Sequence, residues 1–399
     1  MIDTLWWMLV AAMLVPAHRV AYQQPGKVLA ALVAVEGTAV AMILLATASA
    51  DTWVGIAQED GTVEWATFLA FVMAAGWLAV VVRKTSESWW FKGACLLLAV
   101  FCLVVAGEEI SWGQRLLGFK PPEVFLERNF QQELNLHNLL MNERGLGFKL
   151  ESKHLVSAIA IGFGFVWPAL VRRPRFRVFA PLAPPIVLAP VFLGVVAALS
   201  SYGVELTGEG AELILGLLFL ASAVVVTDLR ARVAVALLVA PLALGAVTSV
   251  VMTRVVFGSD EEGQRIAAEE LGLLRADVMK GATEKLRKRS IHKRLYTATL
   301  DGYFRLAGGM YLAGGGTPAE PGAAVPRTDR LGYFLDPWNN PYWVKFDKRS
   351  KAGAIYSFGP NRRRDVDLDE DGGDRGDDLL VDFELEDRVD RPADDQPDE

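Results

Sequence analysis

Two acidic constellations are the residues of this chain most able to do chemistry. The first begins at Gly107-Glu-Glu-Ile-Ser-Trp-Gly-Gln-Arg115 and continues at Asn129-Phe-Gln-Gln-Glu-Leu-Asn-Leu-His-Asn138. Glu108, Glu109, Glu133 and His137 are its candidate catalytic groups, because carboxylates and imidazole exchange protons or hold metal ions. Glu133 and His137 are spaced i, i+4, so both can bind one polar group or a second metal. If the first stretch is helical, Glu108, Ser111 and Arg115 share a face and an internal ion pair becomes possible. A plainer account stands beside this one: a buried interfacial helix that satisfies itself, with His137 as a hydrogen-bonded structural residue.

The second constellation is Asp367-Leu-Asp369-Glu-Asp371-Gly372. Alternate carboxylates followed by glycine open an EF-hand-type loop, in which they converge on one hard cation and the glycine allows the tight turn. Asp378 falls at the twelfth position of that register, where Glu is usual. Calcium is the ion this pattern suits, and a solvated acidic tail is the alternative. Further carboxylates, Glu36, Glu64, Glu205, Glu209 and Glu212, lie within or beside apolar runs, where ionisable groups are costly. For Glu64, Glu205 and Glu209 the simple alternative is solvation at helix ends. The sequence holds no Ser/His/Asp order, nucleotide loop, Cys/His zinc motif or HExxH.

The elements that must position these groups are written in the hydropathy. Apolar runs of bilayer-crossing length, roughly 20 residues each, fill the chain as far as Phe257, and none follows Gly258. About eight transmembrane helices are expected: Ile2–Val20, Val28–Ala50, Val63–Val82, Gly93–Gly107, Leu155–Val171, Phe179–Tyr202, Ala211–Thr227 and Val233–Phe257. The fourth is short unless it continues into Glu108. The first lacks the basic start and small-residue cleavage pattern of a signal peptide and is expected to be retained. Trp6, Trp7, Trp89 and Trp90 suit interface anchors. Cys95 and Cys102 lie seven apart on one span, too far for a disulfide within a helix, and suit core positions.

Charge sets the expected orientation. Arg19 and Lys27, then Arg83, Lys84 and Lys92, then Arg172, Arg173, Arg175 and Arg177, then Arg230 and Arg232 occupy alternate loops. The intervening short loops, Asp51–Thr62 and Gly203–Gly210, carry no Lys or Arg. The positive-inside rule then directs both termini and the 108–153 loop out of the cytoplasm, in a bacterial inner membrane. The net charge of −7 is uneven, because Asp365–Glu399 alone holds 17 acidic and 3 basic residues. Such a tail repels nucleic acid and anionic headgroups and suits a divalent cation or solvation.

Residues 258–387 read as a small soluble domain and 388–399 as a disordered acidic end. Ser259 and Glu262 are placed as a capping box. Ile266, Leu271, Leu274, Val278, Leu286, Ile291 and Leu295 recur at helical spacing, which predicts a helix to about Leu306. Glycines from Gly308 end it, and strands are expected at Tyr342–Phe346, Ala354–Phe358 and Leu379–Phe383.

Leu335-Asp-Pro-Trp-Asn-Asn-Pro-Tyr342 resembles the Asp-Pro-Trp-Gly-x-Pro-Tyr segment of the major pseudopilin of type II secretion systems. Leu300–Tyr311 is similar to the end of that family's helix, Tyr356–Asn361 to its Ser-x-Gly-x-Asp turn, and Asp377-Asp378-Leu379 to its closing Asp-Asp-Ile. The resemblance covers about residues 295–383. It implies a long helix on a small antiparallel sheet, with calcium in the last loop; together with the alternating carboxylates, the expected ligands are Asp367, Asp369, Asp371, Asp377 and Asp378. Asn361 departs from an acidic ligand position, and Asp228-Leu-Arg-Ala-Arg232 replaces the prepilin-peptidase site, so a filament subunit is not implied. The membrane region resembles uncharacterised bacterial polytopic membrane proteins, which carries no activity with it.

Three functions are consistent with these features. The first is an α-helical polytopic membrane protein whose pilin-like α+β domain, stabilised by calcium, binds a cell-envelope protein outside the cytoplasm. The second is a membrane enzyme that uses Glu108, Glu109, Glu133 and His137 on a lipid or envelope precursor. The third is an ion or small-solute transporter through Glu36, although no transporter-type repeat is evident.

Overall fold

The computed structural model describes residues 2–58, 60–117, 122, 125, 134–136, 152–201, 206–227, 229–252, 260–281, 290–294, 335–338, 340–360 and 376–384. It divides into two compact units, Met1–Val256 and Phe257–Glu399.

The first unit is helical. Its elements are α1 (Ile2–Ala21), α2 (Gly26–Ala48), α3 (Ala50–Ala57), α4 (Thr62–Lys84) and α5 (Trp89–Glu109), then a 3-10 turn (Ser111–Gly113) and α6 (Gln114–Leu117). After the 108–151 region come α7 (Ser152–Ile161), a π-helical turn (Gly162–Val166) and α8 (Trp167–Leu170). Two 3-10 segments, Pro174–Leu182 and Ile186–Leu188, lead into α9 (Ala189–Ser201), α10 (Thr207–Val225) and α11 (Ala231–Met252). Among the described residues, seven stretches are helical, long and apolar enough to cross a membrane, from Gly26–Ala48 to Ala231–Met252. The helix α1 is 20 residues long and packs against α9. The span expected to be short is long enough for a full crossing, because α5 begins at Trp89 and reaches Glu109. Cys95 and Cys102 are buried free thiols on α5.

Helix α4 is the centre of this unit, packed by α5, α10 and α11. With little hydrophobic drive between helices in lipid, close backbone approach through small residues holds such bundles. A side chain at Gly245 of α11 would meet the Ala66 backbone nitrogen of α4 at 2.7 Å, and one at Gly216 of α10 would meet Ala70 at 3.2 Å. Phe163 of the π turn stacks on Phe219 of α10 with ring centroids 4.4 Å apart.

The second unit joins one helix, α12 (Asp260–Gly281), to a four-stranded antiparallel sheet in the order β1-β2-β3-β4. The strands are β1 (Ile291–Arg294), β2 (Trp343–Asp347), β3 (Ala352–Ser357) and β4 (Leu379–Glu384). Helix α12 packs on β3 and β4, and Trp338 lies against Gly263 of the helix. The helix expected to reach Leu306 is not continuous. Ile291–Arg294 pairs with β2, Ile291 opposite Phe346 and Arg294 opposite Trp343. The segment Ile-His-Lys-Arg has too short an apolar pattern to distinguish periods of two and four, and the open edge of β2 decides it. The three expected strands form at β2, β3 and β4. Ser259 of the expected capping box, Leu286, Leu295 and the 388–399 end lie outside the described residues.

Candidate functional site

Glu64, Glu108, Glu109, Glu209 and Glu212 of the first unit collect where α4 starts, α5 ends and α10 starts. Helix α5 closes on Glu108 and Glu109 with no basic residue in its last turn. Two carboxylates beside unsatisfied carbonyls oppose the helix dipole, an arrangement that costs stability unless donors compensate. The chain supplies donors to Glu108. Trp112 Nε1–H donates to its Oε1 at 2.8 Å and the backbone N–H of Leu136 to its Oε2 at 2.5 Å.

The helix does not continue to Arg115. Ser111, Trp112 and Gly113 are all left-handed, at φ 47°, 55° and 75°, so the expected helical face Glu108–Ser111–Arg115 is broken at its second member. Arg115's side chain lies outside the described residues. This corner receives the second polar stretch instead. Asn135 Nδ2 donates to Ser111 Oγ at 3.3 Å, and the Leu134 N–H donates to Gln114 Oε1 at 2.7 Å. Ser111 and Asn135 are each only 3% exposed. The two stretches singled out by their composition therefore meet. Glu133 and His137 lie outside the described residues, immediately on either side of Leu134–Leu136. Leu134 and Asn135 are not helical, so an i, i+4 helical register does not run through that pair.

Glu109 faces a wider set of charges. The carboxylates of Glu212 and Glu209 of α10, Glu64 of α4 and Glu108 all lie close enough to act on it. Glu64 and Glu209 lie in the first turns of their helices, where the dipole favours an anion, and Glu64 accepts the N–H of Asp60. The backbone around these residues is strained. Among the described residues of this unit, the non-glycine positions with positive φ are Asp60, Ser111, Trp112 and Leu206. Each flanks one of these carboxylates, and such outliers persist only where the surroundings over-determine them. The grouping of Glu64, Glu209 and Glu212 around Glu109 was open to the sequence only as acidic residues at span ends. What joins them is helix packing. Glu205 lies outside the described residues.

On α10, Glu209 and Glu212 occupy one side, while Thr207, Gly210, Ala211 and Ile214 occupy the other and line an intramembrane cavity. Glu36 of α2 lies in that cavity, away from the carboxylates. His18 Nε2 approaches Glu36 Oε2 to 3.0 Å, a pairing that sequence separation did not reveal.

In the second unit the described parts of the Leu335–Tyr342, Tyr356–Asn361 and Asp377–Leu379 motifs meet at one corner, while Leu300–Tyr311 and Asn361 lie outside the described residues. Asp336, fully buried, accepts from the N–H groups of Trp338 and Asn340 at 3.0 and 2.8 Å and from Ser357 Oγ–H at 2.5 Å. Tyr342 OH donates to the buried Glu270 of α12 at 2.7 Å, which ties the loop to the helix. Gly359 has φ 67°, and a side chain there would meet the Asp377 carbonyl at 2.3 Å, so only glycine fits that contact. Asp378 is 7% exposed. Asp367, Asp369 and Asp371 lie outside the described residues. Among the described residues no group of three or more His, Cys, Asp or Glu is arranged to hold a metal ion. The Asp377 and Asp378 carboxylates held beside Ser357–Gly359 are hard oxygen donors of the kind calcium takes.

Comparison with protein-family models, curated protein sequences and solved structures finds no match to this chain.

Proposed function

We propose that this multi-pass membrane protein is an enzyme acting at its extracytoplasmic face, with the carboxylate centre around Glu109 as its acid/base site. The docking of Leu134–Leu136 onto Glu108, Ser111 and Gln114 carries this reading, since it brings the polar stretch that includes Glu133 and His137 in sequence to the end of α5. The strained backbone around the same carboxylates supports it. Alternating basic loops direct this end outward, toward lipid headgroups and envelope precursors as substrates. Transport has less support, because among the described residues the cavity that contains Glu36 has almost wholly apolar walls. The test compares cells expressing wild type, Glu109→Gln or Glu212→Gln by mass spectrometry of lipids and envelope precursors. One species should accumulate in both variants. Identical profiles, with both variants folded and at wild-type abundance, would remove the enzymatic reading.

The second unit is proposed as a calcium-stabilised, pilin-like domain that docks an envelope protein. The corner formed by Asp336, Ser357, Gly359 and Asp377 favours this second reading, because the described parts of the resembling motifs meet there. Asp367, Asp369, Asp371, Asp377 and Asp378 would hold the ion, whose charge offsets their mutual repulsion. At a hundredfold excess over its dissociation constant, calcium stabilises the folded form by roughly 3 kcal/mol. The detergent-purified protein should melt higher in calcium than in chelator. Asp371→Ala with Asp378→Ala should abolish that gain and Asp394→Ala with Asp395→Ala should keep it. Equal melting of the wild type in millimolar calcium and in chelator would defeat the metal site.

A further inference from the structure

The cavity on the other side of α10 has walls from α1, α2, α9 and α10, with Trp53 of α3 also in its lining, and a volume of about 380 Å³. That is within the range of small-molecule sites, roughly 300–1,000 Å³. Its walls are apolar except for a few groups, chief among them His18 and Glu36. Glu36 is ten residues into α2, about 15 Å along at ~1.5 Å per residue, and so near the middle of a hydrocarbon layer about 30 Å thick.

The pair constrains what can bind. His18 Nδ1 lies 3.1 Å from the Leu14 carbonyl, which can only accept, so this nitrogen carries a proton. One further proton then lies between Nε2 and Glu36 Oε2, 3.0 Å apart. Whichever atom holds it, the pair is neutral overall and offers no net charge to a charged ligand. Glu36 Oε1 is buried and has no hydrogen-bond partner among the described residues. An acceptor in that position calls for a donor. Glu36 itself lines the cavity, and the terminal torsion of a glutamate is soft, so its carboxylate can adjust to a donor there.

We propose that this cavity binds a lipid alcohol, with its hydroxyl donating to Glu36 and its chain lying along the apolar walls. The site is separate from the carboxylate centre and does not depend on how that centre acts. A phospholipid tail has no donor for Glu36. A metal ion would find one carboxylate and one imidazole already engaged with a carbonyl. A charged solute would enter apolar walls at a prohibitive desolvation cost.

The geometry provides a cavity-filling variant that leaves the pair intact. Nothing lies within 4 Å of a side-chain carbon built at Gly194, which lines the cavity, so Gly194→Leu projects into it. Leucine also favours the helix over glycine. The full-length protein in lipid nanodiscs is titrated with radiolabelled farnesol, dodecanol or a diacylglycerol, and with farnesyl methyl ether, which lacks the donor. At least one alcohol should bind saturably, one per chain, and at least tenfold more tightly than the ether does. Gly194→Leu should weaken that alcohol at least tenfold, and Glu36→Leu should bring an alcohol and ether of equal chain to equal affinity. The chain type preferred by the wild type, isoprenoid, linear or diacyl, identifies the source. Ether binding equal to farnesol, or alcohol binding unchanged in Gly194→Leu, would overturn the proposal.

Discussion

Both oxygens of Glu108 are acceptors for N–H groups, one from Trp112 and one from Leu136. An amide would place its own donor against one of them. Glu108→Gln should therefore release the 134–136 segment, seen as faster hydrogen exchange of the Leu136 amide with little change in α5. Asp336 has a different role, as acceptor for three buried or half-buried donors. Asp336→Ala leaves them without it, at roughly 1–3 kcal/mol each, so the second unit should lose at least about 3 kcal/mol in denaturant unfolding. Asp347 gives a pH signature. The backbone N–H of Arg349, then Ser290 Oγ–H and the N–H of Ser350, hold its carboxyl down at about 2, below the usual ~3.9 of an unfolded chain. A group depressed in the folded state stabilises above its unfolded value and loses that contribution as pH falls through its folded value. Thermal melting of the second unit should decline between about pH 4 and about pH 2, and Asp347→Ala should flatten that limb. An unchanged slope in the variant would show that Asp347 is not responsible.

At the scale of elements, the long apolar helices were legible because a bilayer accepts only long apolar segments with satisfied backbones. The hairpin β2–β3 and strand β4 were legible for a related reason, as apolar segments separated by turn residues. Strand β1 was not, since its four residues fit a helical period and only pairing with β2 excludes it. The break after Glu109 was hidden too. Left-handed Ser111 and Trp112 are improbable from local preference and are held by contacts with Asn135 and with Gly107. The His18–Glu36 pair joins two helices, and no spacing within either one announces it. Close helix approach is likewise invisible until helices are paired. Gly245→Ala would place a methyl 2.7 Å from the Ala66 nitrogen, an overpacking that costs roughly 1–3 kcal/mol. A lower melting temperature of the detergent-purified protein is the expected result.

For the whole molecule, the charge-derived topology makes a direct prediction. A reporter active only outside the cytoplasm should be active when fused after Phe383 and silent when placed near Arg175. The opposite pattern would put the carboxylate centre in the cytoplasm and take the extracytoplasmic substrates with it. Within the membrane unit, α10 is the wall shared by the two proposed sites. Gly210, Ala211 and Ile214 border the cavity, and Glu209 and Glu212 alternate with them on the same turns. A rigid rod cannot move one side and leave the other still. An occupant that favours a slightly shifted α10 therefore alters the spacing of Glu212 from Glu109. By thermodynamic reciprocity, protons or cations gathered at the carboxylates alter the grip on that occupant by the same factor. The helix makes the two sites two ends of one lever.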